Sequence, residues 1–268
     1  MKNIYETLVE QALVKTRDWK NEDFLVRGLW KTILAFKPNP NERAFNYTYM
    51  LAQVIGQGVC YCSSSALFDK DLVGQDAREV IKTNYCKSVA VLDAIYSTIP
   101  KSPKDTHVLK GNSIEKTHVR NNIIADEVDR LCTGCDHKGL HVVNVGVVGD
   151  LLKKLIERDY HVTATDLDEN IIGRGMSGVV IQHGLNTLDY VRDSDVAIIS
   201  GMTLATDTLE AIIDAAKSSG TKLLMFAETG ANFAEEYINI IGLDVVVSEP
   251  FPFYIFQGVS YIDVFRRA

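Results

Sequence analysis

Three groups of residues carry side chains at spacings that chemistry could use. The first lies in 139–170, GLHVVNVGVVGDLLKKLIERDYHVTATDLDEN. Gly146 and Gly149 fall in the turn between an apolar strand and a helix, and Asp166 closes the next strand, 20 residues after Gly146. Bare amides at a helix start beside a carboxylate are the parts that hold a ribose-bearing ligand in an open α/β sheet. The pattern is G-x-x-G, short of the three-glycine dinucleotide fingerprint, and Asp150 follows it directly. A carboxylate there repels a pyrophosphate. A phosphate-free nucleoside such as S-adenosylmethionine suits the turn better, with Asp166 on the ribose hydroxyls. The competing reading is scaffolding, in which small residues turn a corner and Asp150 caps a helix.

The second group sits at the ends of apolar strands. Ser200, Gly201, Met202 and Thr203 follow DVAIIS, and Thr206 or Asp207 is expected to cap the next helix. AETGANF brings Glu228, Thr229 and Gly230 to the same rim after KLLMF, and SEPFPF adds Glu249 and Phe251. Strand ends of this kind are where open α/β sheets bind ligands. Glu228 is the carboxylate there that could serve as a catalytic base.

The third group is sulfur and imidazole. CTGCDH offers Cys132, Cys135 and His137 as soft ligands for a transition-metal ion, one short of the four that a structural zinc usually takes. Cys60 and Cys62 of CYCSSS, on one side of a strand, or Cys86 could complete such a set. Against this stands the absence of a second C-x-x-C pair. A redox role needs a low-pKa thiol. His107, His118, His141, His161 and His183 are scattered, and no Ser-His-Asp order, Walker A loop or H-E-x-x-H motif occurs.

The elements that must position these residues divide into two halves. The first reads as α+β: a helix with Ile4, Leu8, Ala12 and Leu13, then DFLVRGLWKTILAFKP as a strand or hairpin with Gly28 as a turn or bulge. RAFNYTYMLAQVIGQGVCYCSSSALF suggests strand and loop. GQDAREVIKTNYCKSVAVLDAIYSTIP, from Gly74, is helical with a break near Asn84. Residues 100–116 read as a linker or surface excursion, and IEKTHVRNNIIADEVDRLC as one helix or two short ones. The second half alternates strand and helix (LHVVNVGVV, DLLKKLIERD, HVTATDL, GVVIQH, DVAIIS, LEAIIDAAKSS, KLLMFA, DVVVSEPF), the grammar of a doubly wound parallel sheet. YIFQGVSYIDVFRRA either closes that sheet's edge or docks on the first half.

A formal charge of −7 without clustered basic and aromatic residues argues against nucleic acid. No apolar run approaches the roughly 20 residues that span a bilayer. The N-terminus lacks the apolar core of a signal peptide, so a cytoplasmic location is expected. Five cysteines, an odd number, fit a reducing compartment better than a disulfide framework.

IYETLVEQAL, LVGQDAREVIKTNYCKSVAVLDAIYST, VVNVGVVGDLLKKL and SDVAIISGMTLATDTLEAIIDAAK, in this order, resemble the bacterial and archaeal family called the putative heavy-metal chelation proteins. The resemblance implies an α/β architecture: an enolase-N-terminal-like α+β domain at 1–100 and a Rossmann-like domain at 101–268, with a site in the cleft between them. It implies a metal ion or metal chelate as ligand. Departures are FAETGANF, where the family carries a glycine-proline segment, and the additional CTGCDH. On this reading Gly146, Gly149, Asp166, Gly201, Met202, Thr203, Glu228 and Thr229 form one wall of the cleft and Cys60, Cys62 and Asn84 the other. The alternative is a small-molecule transferase using S-adenosylmethionine or another nucleoside, motivated by Gly146, Asp150 and Asp166. A ligand-responsive binding or storage protein is a third. Expected partners are a small molecule or metal, with no nucleic acid and no membrane. TATDLDENI also resembles the acidic segment of class I methyltransferases, and the apolar PFPFYIFQG is a candidate domain or subunit contact that leaves a homo-oligomer open.

Overall fold

The structure is a computed structural model and describes residues 3–36, 45–134 and 138–268. Its first helix, α1 (Ile4–Lys15), is set by a capping box. The Asn3 side chain accepts from the Glu6 amide at 2.8 Å, and the Glu6 carboxylate accepts from the Asn3 amide at 3.1 Å. Tyr5, Leu8 and Ala12 face inward. Three antiparallel strands follow as a meander: β1 (Gly28–Phe36), β2 (Phe45–Gln53) and β3 (Gln57–Cys62). Their alternation splits the side chains between two faces. Met50, Ala52, Cys60 and Cys62 enter the main core, while Tyr49 and Val59, with Tyr47, Leu51 and Tyr61, line the other side. Gly28 opens β1 rather than turning a hairpin within it.

The expected break near Asn84 is present: α2 (Ala77–Val80) stops and α3 (Cys86–Tyr96) begins anew. β3 lies directly on α3 because residue 58 is glycine. A Cβ there would stand 2.1 Å from the Ala94 nitrogen and 2.3 Å from the Ala90 oxygen.

The second sheet has nine strands in the order β4-β12-β11-β10-β9-β5-β6-β8-β7. β5 (His141–Val145), β6 (His161–Asp166), β8 (Val179–His183), β9 (Val196–Ser200), β10 (Lys222–Ala227) and β11 (Val245–Ser248) run parallel. β4 (Asp105–Leu109), β12 (Ser260–Arg266) and β7 (Gly175–Met176) pair antiparallel at the edges. The sheet is therefore mixed, a correction to the all-parallel expectation. β4 also corrects the reading of 100–116 as a linker, since it pairs with β12 along its whole length.

Helices cover both faces. α4 (Ser113–Leu131), one helix opened by an Asn112–Glu115 capping box, and α5 (Gly149–Ile156) pack on one side through Ile123, Ile124, Val128, Leu151 and Leu155. On the other side α6 (Thr187–Arg192), the short α7 (Met202–Ala205) and α8 (Leu209–Ser219) join α3 in a core that continues into the meander. Thr208, rather than Thr206 or Asp207, occupies the cap position of α8, and Asp207 takes a left-handed φ of 58°. No helix among the described residues is long and apolar enough to cross a membrane.

Candidate functional site

The chain leaves β5 toward β6 on one side and returns to β9 on the other, so the strand order reverses between β5 and β9. Ligand crevices of open α/β sheets form at the carboxyl ends of the strands flanking such a reversal. There Gly146 (φ 78°) and Ser200 come so close that a Cβ on Gly146 would lie 3.1 Å from the Ser200 Cβ. Along the same rim follow Asp166 at the end of β6, Glu228 after β10 and Glu249 after β11.

The meander's second face closes over this rim. Tyr49 packs against Phe253 with ring centroids 5.2 Å apart, and Phe251, Tyr254, Ile255 and Phe256 complete the apolar cluster. The segment PFPFYIFQG thus makes one of the contacts between the halves. Two hydrogen bonds cross the junction: the Tyr49 hydroxyl donates to Glu228 Oε2 at 3.1 Å, and the Tyr61 amide donates to Thr229 Oγ1 at 2.8 Å. Asp93 on α3 adds a third tie, accepting from the Val59 amide and the Asn232 amide at 3.0 Å each.

At the centre of this junction is an arginine between two carboxyls. Arg120 Nη1 of α4 lies 3.5 Å from Glu228 Oε1 and 3.8 Å from Glu249 Oε2, both beyond a good hydrogen bond. Its guanidinium stacks 4.0 Å from the Tyr254 ring centroid and 5.0 Å from that of Phe226. The side chains of Arg120 and Glu249 are 5% and 0% exposed, whereas Glu228 retains 15%. Glu228 is therefore the member that reaches solvent. Burial raises its carboxyl to about 7, with Glu249 adding to the rise and Arg120 and the Tyr49 hydroxyl opposing it. Burial likewise raises Glu249, against the Arg120 guanidinium and the Ser260 hydroxyl, which donates at 3.2 Å. Arg120 Nε and Glu249 Oε2 are buried without a hydrogen-bond partner, as are both amide atoms of the neighbouring Asn121. Native interiors leave few such atoms unpaired.

The remaining candidates divide. Asp166 Oδ2 accepts from the Val147 amide and Oδ1 from the Asp168 amide, each at 2.9 Å, so its carboxylate first of all shapes the turn that carries Gly146 and Gly149. Gly149 opens α5, and Asp150 is exposed in its first turn. Tyr61 stands near Asp166 and Asp168, and its hydroxyl is raised by burial and by both carboxylates. Gly201 is a packing glycine, since a Cβ would meet the Thr229 oxygen at 2.3 Å. Thr203 is buried and donates to the Ser200 oxygen at 2.7 Å, while Met202 is half-buried, its amide on Ser200 Oγ at 3.2 Å.

The cysteines correct the sequence reading. Cys60 and Cys62 share a face, but it is the one turned to α3, away from the rim; the intervening Tyr61 faces the rim instead. Cys62 is paired with Cys86 in a disulfide, which also departs from the expectation of reduced cysteines. Cys60 and Cys132 are both buried, and burial pushes the Cys60 thiol well up, away from the thiolate a metal needs. Cys135 and His137 lie outside the described residues. Among the described residues no three His, Cys, Asp or Glu side chains are grouped to hold a metal ion. Asn84 is exposed and borders a small crevice with Asn3, Leu204 and Asp207 rather than Glu228.

The family model DUF364, described as "Putative heavy-metal chelation", matches residues 135–227. That is a little over a third of the chain, from just before β5 to the end of β10, and it stops one residue short of Glu228. Two solved structures of DUF364 proteins of unknown function share the fold. The one from Desulfitobacterium hafniense is 14% identical with a TM-score of 0.56, over 92% of this chain and 85% of that one. The one from Pyrococcus horikoshii is 14% identical with a TM-score of 0.51, over 92% and 87%. Among curated proteins none matches the chain.

Arg120, Tyr49, Tyr61 and Asp93 went unread in the sequence. A basic residue on the apolar side of a helix, at the 116–120–127 spacing shared with buried Lys116 and Glu127, was the available signal for Arg120. The tyrosines offered only their alternation along the strand.

Proposed function

We propose that the protein binds a small polar molecule at the junction between the meander and the carboxyl-end rim, and that Glu228 exchanges a proton with it. One observation carries this reading. Glu228 is the solvent-reaching member of a buried carboxyl–guanidinium–carboxyl group, titrating near neutrality beside unpartnered polar atoms. Groups tuned in this way gather at functional sites. The family description supports metal or small-molecule handling. The described donors do not fit a resident metal centre: Cys62 is in a disulfide, Cys60 is a buried thiol, and no third ligand joins them. A metal would therefore arrive as cargo, held by its own chelator. We read the N-terminal half as enolase-N-terminal-like, on its three-stranded meander followed by helices, and the location as cytoplasmic.

Native mass spectrometry of the freshly purified protein tests the proposal. A copurifying small molecule retained by the parent and lost from Glu228→Gln supports it. A ligand retained equally by both counts against Glu228, and ligand-free protein that also fails to bind any member of a metabolite panel counts against the site.

A second reading, a phosphate-free nucleoside such as S-adenosylmethionine, is favoured by Tyr61 standing beside Asp166 over the Gly146 turn. Calorimetry with S-adenosylmethionine and adenosine decides it: no heat with either removes this reading.

A further inference from the structure

The Cys62–Cys86 disulfide joins two sulfurs of unequal access. Cys62 is 3% exposed, whereas Cys86 is half-buried and follows an exposed break, residues 82–85, between α2 and α3. α3 runs back along β3, and the two elements are tied at both ends. At one end Gly58 lies against Ala90 and Ala94, and the Val59 amide donates to Asp93 at 3.0 Å. At the other stand the disulfide and a partly exposed ion pair, Lys87 to Asp69 at 3.0 Å, a contact of little energy. Beside this second tie lies a link to the rim. β3 is an edge strand of the meander, and the Tyr61 amide, one residue before Cys62, donates to Thr229 Oγ1 at 2.8 Å. Thr229 adjoins Glu228, and the Tyr61 hydroxyl stands near Asp166 and Asp168. Cys60 takes no part in exchange, because it is buried and its thiol is pushed well up.

We propose that this disulfide is a reversible redox switch on the Glu228 rim, opened through Cys86 by a low-molecular-weight thiol, which frees the Tyr61 end of β3 from α3. A small thiolate attacks Cys86 Sγ. The bond to Cys62 breaks and its electron pair leaves on Cys62 Sγ, which takes up a proton. A second thiolate attacks the external sulfur of the mixed disulfide, and the pair leaves on Cys86 Sγ, which takes up another. The two cysteines gain two electrons and two protons, and two thiols become one disulfide. Excess external disulfide drives the same steps in reverse. In a cytoplasm, the location proposed for this chain, protein disulfides are mostly transient or redox-sensing. The reduced cysteines expected from the sequence and the bonded pair of the structure are then two states of one device. As control over a ligand, the switch rests on the reading of the junction as a ligand site; the release of Tyr61 does not.

The full chain, equilibrated without ligand in mixtures of reduced and oxidised glutathione, tests the proposal by mass spectrometry after alkylation and by hydrogen exchange. The expected result is complete, reversible interconversion through a mixed disulfide on Cys86. In the reduced protein the Tyr61 amide exchanges roughly tenfold faster relative to the amides of β10. The Glu228 titration drops from about 7 toward the ordinary carboxyl range as water reaches the rim. Cys62→Ser/Cys86→Ser, checked for folding by thermal melts, matches the reduced parent in every mixture. A pair that stays bonded, or stays reduced, across the whole range overturns the proposal. So does a Tyr61 amide that changes only in step with β10, which is a loss of global stability alone, or a Glu228 titration indifferent to the redox state. None of these readouts uses a bound ligand, so a failure here is told apart from a failure of the ligand reading.

Discussion

The hydroxyl of Tyr49 on β2 and the carboxyl of Glu228, one residue past the end of β10 in the other sheet, are joined by a 3.1 Å hydrogen bond. That bond favours the ionised carboxyl and works against the effect of burial. Tyr49→Phe should therefore move the Glu228 titration further above about 7, at a stability cost on the order of 1 kcal/mol. A carbon-13 or infrared titration of the carboxyl reads the direction. An unchanged or lowered value would show that Tyr49 does not govern Glu228.

The pH dependence of stability has a definite sign. Glu228 and Asp93 both titrate near about 7, raised chiefly by burial. Groups raised in this way contribute stability that is full below their unfolded values, near 4, and is lost as pH rises through the folded value. Stability should fall between pH 4 and 7 and level off above, by on the order of 4 kcal/mol for each group. Asp105 is lowered by its hydrogen bond to Arg266, and its contribution is present above the unfolded value and lost as pH falls. Urea melts across pH 4–9 should show Glu228→Gln and Asp93→Asn each removing part of the fall. Parent-like slopes in both variants would be inconsistent with these assignments.

Arg120→Met removes the cation from between two buried carboxyls. Breaking a buried pair in this way costs about 3–5 kcal/mol. The cost should be larger at pH 8, above the Glu228 titration near about 7, than at pH 5, below it. Equal losses at the two pH values would mean that Arg120 acts through its stacking on Tyr254 and Phe226 instead.

The Cys62–Cys86 disulfide ties the end of β3 to the first residue of α3 across a sequence separation of 24. Closing a loop of that size is worth about 3 kcal/mol. Reductant should lower the thermal midpoint of the parent to that of Cys62→Ser/Cys86→Ser and leave the variant unmoved. A parent insensitive to reductant would place the two cysteines as thiols in solution, as a reducing compartment would keep them.

What could be read in the sequence follows from where the apolar residues are continuous. HVVNV, VAIIS, KLLMFA and VVVS are buried on both faces and announce parallel strands whatever packs on them. DTHVL, mostly exposed, pairs only because β12 presents its edge, and a local pattern does not report a partner 150 residues away. The rim carboxylates Asp166, Glu228 and Glu249 were legible because strand ends are. Arg120 was not, since its role depends on α4 crossing over β10 and β11, which only the packing shows. Cys60 and Cys62 were placed on one face correctly, but which face met the rim depended on Gly58 letting α3 take the other.

The core that runs from the meander through α3 into the nine-stranded sheet has a consequence for traffic through the site. Two bodies sharing one interior do not swing apart like a jaw without exposing that interior to water. A guest larger than the opening at Glu228 would enter by local movement, and the aromatic segment 251–256, anchored at its middle by Phe253, borders that opening through Tyr254 and the Phe253–Tyr49 contact. The speed of capture and release would then be set by a few rings leaving their neighbours rather than by the stability of the whole molecule.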